Sequence, residues 1–176
     1  PKITLTKKKN NYVDWFPDGK INIFYNCITK NIELGLGKKI AIYFVNREKK
    51  IQSFSYYDLE KKINIFCDLL LKNLKRKKTS KAKIMIHASA SIESAISMLS
   101  CAKLGIHFSV IFEDLAPAAI NKRISLIKPD LLVTRFEKKK FNNLISLNLN
   151  FSKSKIIYFN KLNILKKVKI IKKTFP

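Results

Sequence analysis

The sequence predicts an α/β fold: a parallel-sheet β-α-β-α-β unit preceded by a β-hairpin. Two observations carry this. Three short apolar runs of strand length, Lys83–His87, Phe108–Phe112 and Leu131–Thr134, alternate with two helical patterns. Strands alternating with helices form parallel sheets covered on their faces. Upstream, the apolar runs Lys39–Val45 and Lys50–Ser55 are separated only by Asn46-Arg-Glu-Lys49, a spacing that predicts an antiparallel hairpin.

In chain order, residues 1–14 read as a loose N-terminal segment, rich in Lys and Asn, and residues 15–176 as one domain. The chain starts at Pro1 rather than Met and is read as a piece of a longer protein. Gly19 punctuates the segment Trp15–Cys27, in which a lone Trp15 reads as a structural anchor rather than a ligand-stacking residue. Ser55 with Asp58 resembles a capping box. The helix behind it buries Leu59, Ile63, Phe66, Cys67, Leu70 and Leu74 on one stripe, with Lys61, Lys62, Asp68 and Lys72 off it. Lys75-Arg-Lys-Lys78 reads as a solvated basic turn. Ser91 and Gly105 are the expected N-cap and C′ stop of the next helix. Ala95, Met98, Leu99 and Ala102 form one expected face of it, with Ser94, Ser97, Ser100 and Cys101 around them. Pro117 opens the following helix, which ends before Pro129. Lys155–Phe159 and Val168–Ile171 are strand candidates further on.

The formal net charge is +24, a value that points to polyanions. Yet of 36 basic residues only Arg47, Arg76, Arg123 and Arg135 are arginine. Arginine provides the bidentate base contacts, so a surplus of lysine argues against specific nucleic-acid readout. Abundant Lys, Asn and Ile fit AT-rich coding. Cys27, Cys67 and Cys101 form no Cys-x-x-Cys pair; two of them fall on apolar faces, so they read as small hydrophobes in a reducing, cytoplasmic setting. No run is long and apolar enough to span a membrane. His87 and His107, in no metal-ligand spacing, are expected to be hydrogen-bonded structural residues.

Several stretches resemble the N-terminal domain of acetyl- and propionyl-CoA synthetases, AMP-forming members of the adenylate-forming superfamily. They are Ser97-Met-Leu-Ser-Cys-Ala-Lys-Leu-Gly105, Phe108-Ser-Val-Ile-Phe112, Arg123-Ile124 with Lys128-Pro129, and upstream Trp15-Phe-Pro-Asp-Gly-Lys-Ile-Asn-Ile-Phe-Tyr-Asn-Cys27. Phe54–Leu59 also falls where that family turns from strand into helix, and the resemblance covers Trp15 to Thr134. It implies that 15–176 is part of the large N-terminal AMP-binding domain, truncated before the phosphate loop. In that family the Trp15–Cys27 segment leads into a helix packed on the domain. Departures are local. Thr29-Lys-Asn31 replaces Asp-Arg-His, and His87-Ala-Ser-Ala90 replaces Tyr-Met-Pro-Met. Ile92-Glu93 stands for Pro-Glu, and Glu113-Asp114 for a Gly-Gly that the family places near the coenzyme A entrance. Acid at 113 and 114 is unfavourable beside a phosphorylated ligand unless lysines neutralise it. Arg135-Phe-Glu-Lys-Lys-Lys140 does not reproduce the family's Arg-Gly-Gly-Arg-like coenzyme A motif.

Adenylate-forming enzymes hold ATP phosphates on a Ser/Thr/Gly-rich loop. The four glycines here, Gly19, Gly35, Gly37 and Gly105, lie in no such loop. No residue is therefore assigned a catalytic, cofactor-binding or metal-binding role. The resemblance implies a full-length enzyme that activates a short carboxylate, acetate or propionate, with ATP and Mg²⁺ and passes it to coenzyme A. Two alternatives stay open: a lysine-rich α/β module for nucleic acid or acidic surfaces, and a non-catalytic remnant of the synthetase.

Overall fold

The computed structural model describes residues 1–8, 12–46, 48–74, 79–136, 156–159 and 170–171. β1 (Leu5–Lys7) and β2 (Val13–Trp15) pair as an antiparallel ribbon. The segment read as loose thus contains a ribbon, but one with no second layer: every residue of β1 is exposed. Trp15 is consequently 64% exposed, tilted against Phe16, and anchors no core. The expectation for Trp15 fails because a two-stranded ribbon offers nothing to bury it against.

Two wide helical turns follow, Tyr25–Thr29 and Ile32–Leu36. They bring Phe24 and Ile28 into the main core, and Lys103 Nζ lies 4.4 Å from the centre of the Phe24 ring. This is the packed helical segment that the resemblance implied. β3 (Ile40–Val45) and β4 (Ile51–Ser55) form the expected hairpin. Its turn closes on Asn46, whose Oδ1 accepts the N–H groups of Glu48 (3.0 Å) and Lys50 (2.8 Å). α1 (Tyr56–Leu74) starts with the reciprocal Ser55–Asp58 box. Its stripe is buried as expected, but Lys62 is buried too, at 8% exposure. The lysine stem lies along the stripe with Nζ 6.0 Å from the Phe54 ring centre. Burial lowers its pKa, and Asp58 one turn back opposes that.

The central unit comprises β5 (Lys83–His87), α2 (Ile92–Leu104), β6 (His107–Ile111), α3 (Pro117–Ile127) and β7 (Leu131–Thr134). β8 (Ile156–Tyr158) adds to β7, so the sheet is parallel throughout in the order β6-β5-β7-β8. β6 starts and ends one residue before the predicted run. β9 (Ile170–Ile171) pairs antiparallel with β4, and Val168 lies outside the described residues. So do Lys75–Lys78 and Glu137–Lys140.

Side chains alternate between two cores across this sheet. Ile84, Ile86, Leu131, Val133 and Ile157 meet α1 and α2, while Met85, Leu132 and Ile111 meet Ile120 and Ile124 of α3. The β5→β6 and β6→β7 crossovers therefore run in opposite directions on opposite faces, which gives them the same hand. α2 is capped as its sequence predicts, by Ser91 at one end and Gly105 (φ 64°) at the other. Its most buried face differs from the expected one: Ile92, Ile96, Ser97, Ser100 and Cys101 lie deepest. The serines tolerate this because they bond locally or across the contact. Ser97 Oγ donates to Glu93 O (2.8 Å) and Ser100 Oγ to Ile63 O (3.3 Å), so their polarity does not oppose close packing on α1.

Candidate functional site

Open parallel sheets bind ligands beyond the carboxyl ends of their strands, where the strand order reverses. Here β5 leads outward to β6 and the chain then returns past it to β7. The loops leaving these three strands, together with the β3–β4 hairpin, enclose an open crevice of about 650 Å³. Phe44 and Phe136 supply apolar wall, Ser89 a hydroxyl, and Glu48, Glu113, Asp114 and Arg135 the charges. In a chain of net charge +24 the described lining is acidic.

Arg135 is the hub of this end. Its Nη1 donates to Ser89 Oγ at 2.9 Å and lies 3.8 Å from Glu113 Oε1, and its Nε lies 3.6 Å from Glu93 Oε2. The Glu93 and Glu113 side chains are only 13% and 10% exposed, against 34% for Arg135. Glu93 sits in the first turn of α2, where the helix dipole favours a carboxylate. One arginine thus ties the β5–α2 loop, the start of α2 and the β6–α3 loop to the end of β7. Glu48, on the rim, pairs with Lys50 at 2.6 Å and is well exposed.

Beneath this layer His87 is fully buried. Its Nδ1 shares a 3.0 Å hydrogen bond with Thr134 Oγ1, which also accepts the N–H of Phe136 at 3.2 Å. The Phe136 ring meets the imidazole edge-on at 5.0 Å. Burial pushes the His87 pKa down, and the nearby Glu113 pulls it partly back. The structural reading of His87 holds, whereas His107 has an exposed side chain on the edge strand and contributes its main-chain N–H to Ala82 O. Cys67 and Cys101 are buried on the α1–α2 contact, as their apolar positions predict, and Cys27 is exposed. Burial pushes the Cys101 thiol up to about 12, with Cys67 adding a smaller push, and burial raises Cys67 as well, so neither is a ready nucleophile. Among the described residues no three His, Cys, Asp or Glu side chains gather as metal ligands. No described helix is long and apolar enough to cross a membrane.

The resemblance implies a ligand entrance beside Glu113 and Asp114, where lysines would be needed to offset them. The neutralising group at Glu113 is Arg135 instead. The Glu93–Arg135 link was missed, since the two are far apart in the chain and obey no periodicity. The available signal was positional: Glu113 and Arg135 lie just beyond the carboxyl ends of β6 and β7, and Glu93 in the first turn of the helix after β5.

The chain is similar to acetyl-coenzyme A synthetases. It is 31% identical to that of Cupriavidus metallidurans over 136 residues, 77% of this chain and 20% of the relative. It is 27% identical to that of Burkholderia lata over 137 residues, 77% of this chain and 20% of the relative. It is 29% identical to that of Burkholderia thailandensis over 129 residues, 73% and 19%. The chain therefore spans about a fifth of the length of the curated relatives it matches. No protein-family model matches it.

Proposed function

We propose that this chain is the N-terminal part of an AMP-forming acyl-CoA synthetase, an acid–thiol ligase that joins a short carboxylate, acetate or propionate, to coenzyme A at the expense of ATP. The observation that carries the reading is the 31% identity to an acetyl-coenzyme A synthetase over 136 residues, joined to a parallel sheet in the place the motifs predicted. In this reading the protein works in the cytoplasm, with ATP, Mg²⁺ and coenzyme A as its small-molecule partners and no specific nucleic acid.

The residues of this chain supply scaffold. Adenylation requires the ATP phosphates held in line with a carboxylate oxygen and a cation close to the developing charge. Nothing in the four glycines forms a phosphate loop, and the lysines are spread along the chain rather than gathered on one. The crevice at the carboxyl end of the sheet is the part of this chain able to meet a cosubstrate. Its loops are set by the Arg135 hub rather than by glycines.

The test is ATP–pyrophosphate exchange with acetate or propionate. The full-length protein should show it, and should release AMP and acyl-CoA once coenzyme A is added. Residues 1–176 alone should show none. Exchange by the isolated fragment would place the active site within it and refute the scaffold assignment. A full-length protein that binds neither ATP nor coenzyme A would leave the non-catalytic remnant in its place.

A further inference from the structure

We infer that one face of the β1–β2 ribbon, carrying Leu5, Val13 and Trp15, docks on the part of the full-length polypeptide that lies outside this chain. The inference rests on the synthetase reading for the existence of that part, whereas the face itself is independent of it.

The ribbon is two-sided. Its register sets Leu5 opposite Trp15 and Lys7 opposite Val13, and alternate residues of a strand share a face. One face therefore carries Leu5, Val13 and Trp15, with Lys7 as the charge among them. The other carries Thr6 and Asp14, and Lys8 pairs with Asp14. Such alternation is the pattern of a sheet with one face buried, yet Leu5 and Val13 are 39% exposed and Trp15 64%. A cross-strand pair such as Leu5 with Trp15 contributes at most about 1 kcal/mol, and a two-stranded ribbon is marginal alone. Phe16 adds a cost, because its φ of 48° is left-handed and unfavourable for an aromatic residue. Just beyond the ribbon Ile21 and Ile23 are also exposed, although Asn22 between them donates to Ala102 O of α2 at 3.2 Å. A strained ribbon that bares its apolar face needs a second layer.

Area and charge select the occupant. Even taken together, these five apolar residues expose only on the order of 500 Å², short of the roughly 800 Å² that each partner of a standard complex buries. Two copies of a chain of net charge +24 would also repel. A segment of the same polypeptide needs no such area, because the tether gives it a high effective concentration. The matched part of this chain is 20% of an acetyl-coenzyme A synthetase, so in the synthetase reading most of the polypeptide lies outside it.

The test uses the full-length protein, without membranes. Val13→Cys should be alkylated at least about tenfold more slowly in the native protein than in urea, measured on its own peptide by mass spectrometry. A smaller difference would overturn the inference, as would protection that arises only when vesicles of anionic lipid are added. A benzophenone amino acid in place of Trp15 then identifies the cover. Irradiation of a mixture of isotopically heavy and light protein should link it to a peptide outside residues 1–176 of the same molecule. Links to another copy, or to residues 1–176 alone, would overturn the inference. A thermal melt checks folding. Should the Trp15 replacement fail to fold, the same group at Ile21, which is 80% exposed, is read by the same criteria. ATP–pyrophosphate exchange by the wild type separates the two readings. Exchange with a bare ribbon removes this inference alone. A covered ribbon without exchange removes the synthetase reading alone.

Discussion

The two ends of the central sheet are built on different principles. At the amino end, short bonds involving backbone groups join neighbouring elements. Lys83 N–H donates to Asp130 Oδ2 (3.0 Å), Asp130 N–H to Lys83 O (2.8 Å), and Thr79 Oγ1 to Leu104 O (2.8 Å). At the carboxyl end the loops are joined by charged side chains at longer range, with Arg135 between Glu93 and Glu113 at 3.6 and 3.8 Å. Each of these bonds has a neutral backbone group on at least one side, so losing its side-chain partner strands no charge at the amino end. Charges of low exposure need compensation, so the carboxyl end depends on which residues stand there. That end can therefore change its ligand without changing the fold.

The largest test of this contrast is Arg135→Met. Removing the cation leaves two poorly exposed carboxylates uncompensated, so the loops around β7 and α2 should be destabilised by about 3 kcal/mol, as for a half-broken buried ion pair. Native-state hydrogen exchange of α2 and β7 would report it. Adding Glu93→Gln to this variant should recover part of the loss. A cost of less than about 1 kcal/mol would mean that the trio behaves like a surface pair, and the contrast would collapse.

Asp130→Ala probes the other end and should cost less, about 1 kcal/mol, because Lys83 is exposed and water can replace the lost acceptor. Coenzyme A binding should not change. Combined with Arg135→Met, the costs should add to within about 0.5 kcal/mol, since the two residues stand at opposite ends of β7. Strong coupling would show that the sheet transmits strain between its ends.

How much of this was legible follows the same division. The strands, the caps at Ser91 and Gly105 and the Pro117 start were readable, because apolar period and capping chemistry are local. The packed turns that bury Phe24 and Ile28 came from the resemblance and not from a local pattern. Lys62 was misread because the apolar stem of a lysine can be buried beside a hydrophobic stripe. The small residues of α2 mark it as a helix that packs closely, but its deepest face was misjudged, because the polarity of Ser97 is met within the helix and that of Ser100 by a bond across to α1. The Arg135 hub was not legible at all. It exists only once three strands are parallel and in register, which brings together Ser89, Glu93, Glu113 and Arg135 from separate loops.

The smallest expected effect concerns His87, which lies at the carboxyl end but under the charged layer. Its folded pKa is lowered from 6.5, chiefly by burial, with Glu113 opposing. Its polar neighbours include Arg135 and Thr134, through the Arg135 N–H to His87 O (3.4 Å) and the Nδ1 bond. A depressed histidine pKa means that the unfolded chain binds the proton more readily than the folded one. Stability from neutral His87 is therefore complete above about pH 6.5 and is lost as pH falls from there toward the folded pKa. The slope cannot exceed about 1.4 kcal/mol per pH unit for one proton. Unfolding measured between pH 7.5 and 5 should show this decline, and His87→Gln should flatten it even if the variant is less stable throughout. Glu113→Gln should do the reverse: with the opposing carboxylate gone the folded pKa drops further, and the decline should extend to lower pH. If the decline survives in His87→Gln, the proton is taken up elsewhere and the two layers of the carboxyl end are not electrostatically linked.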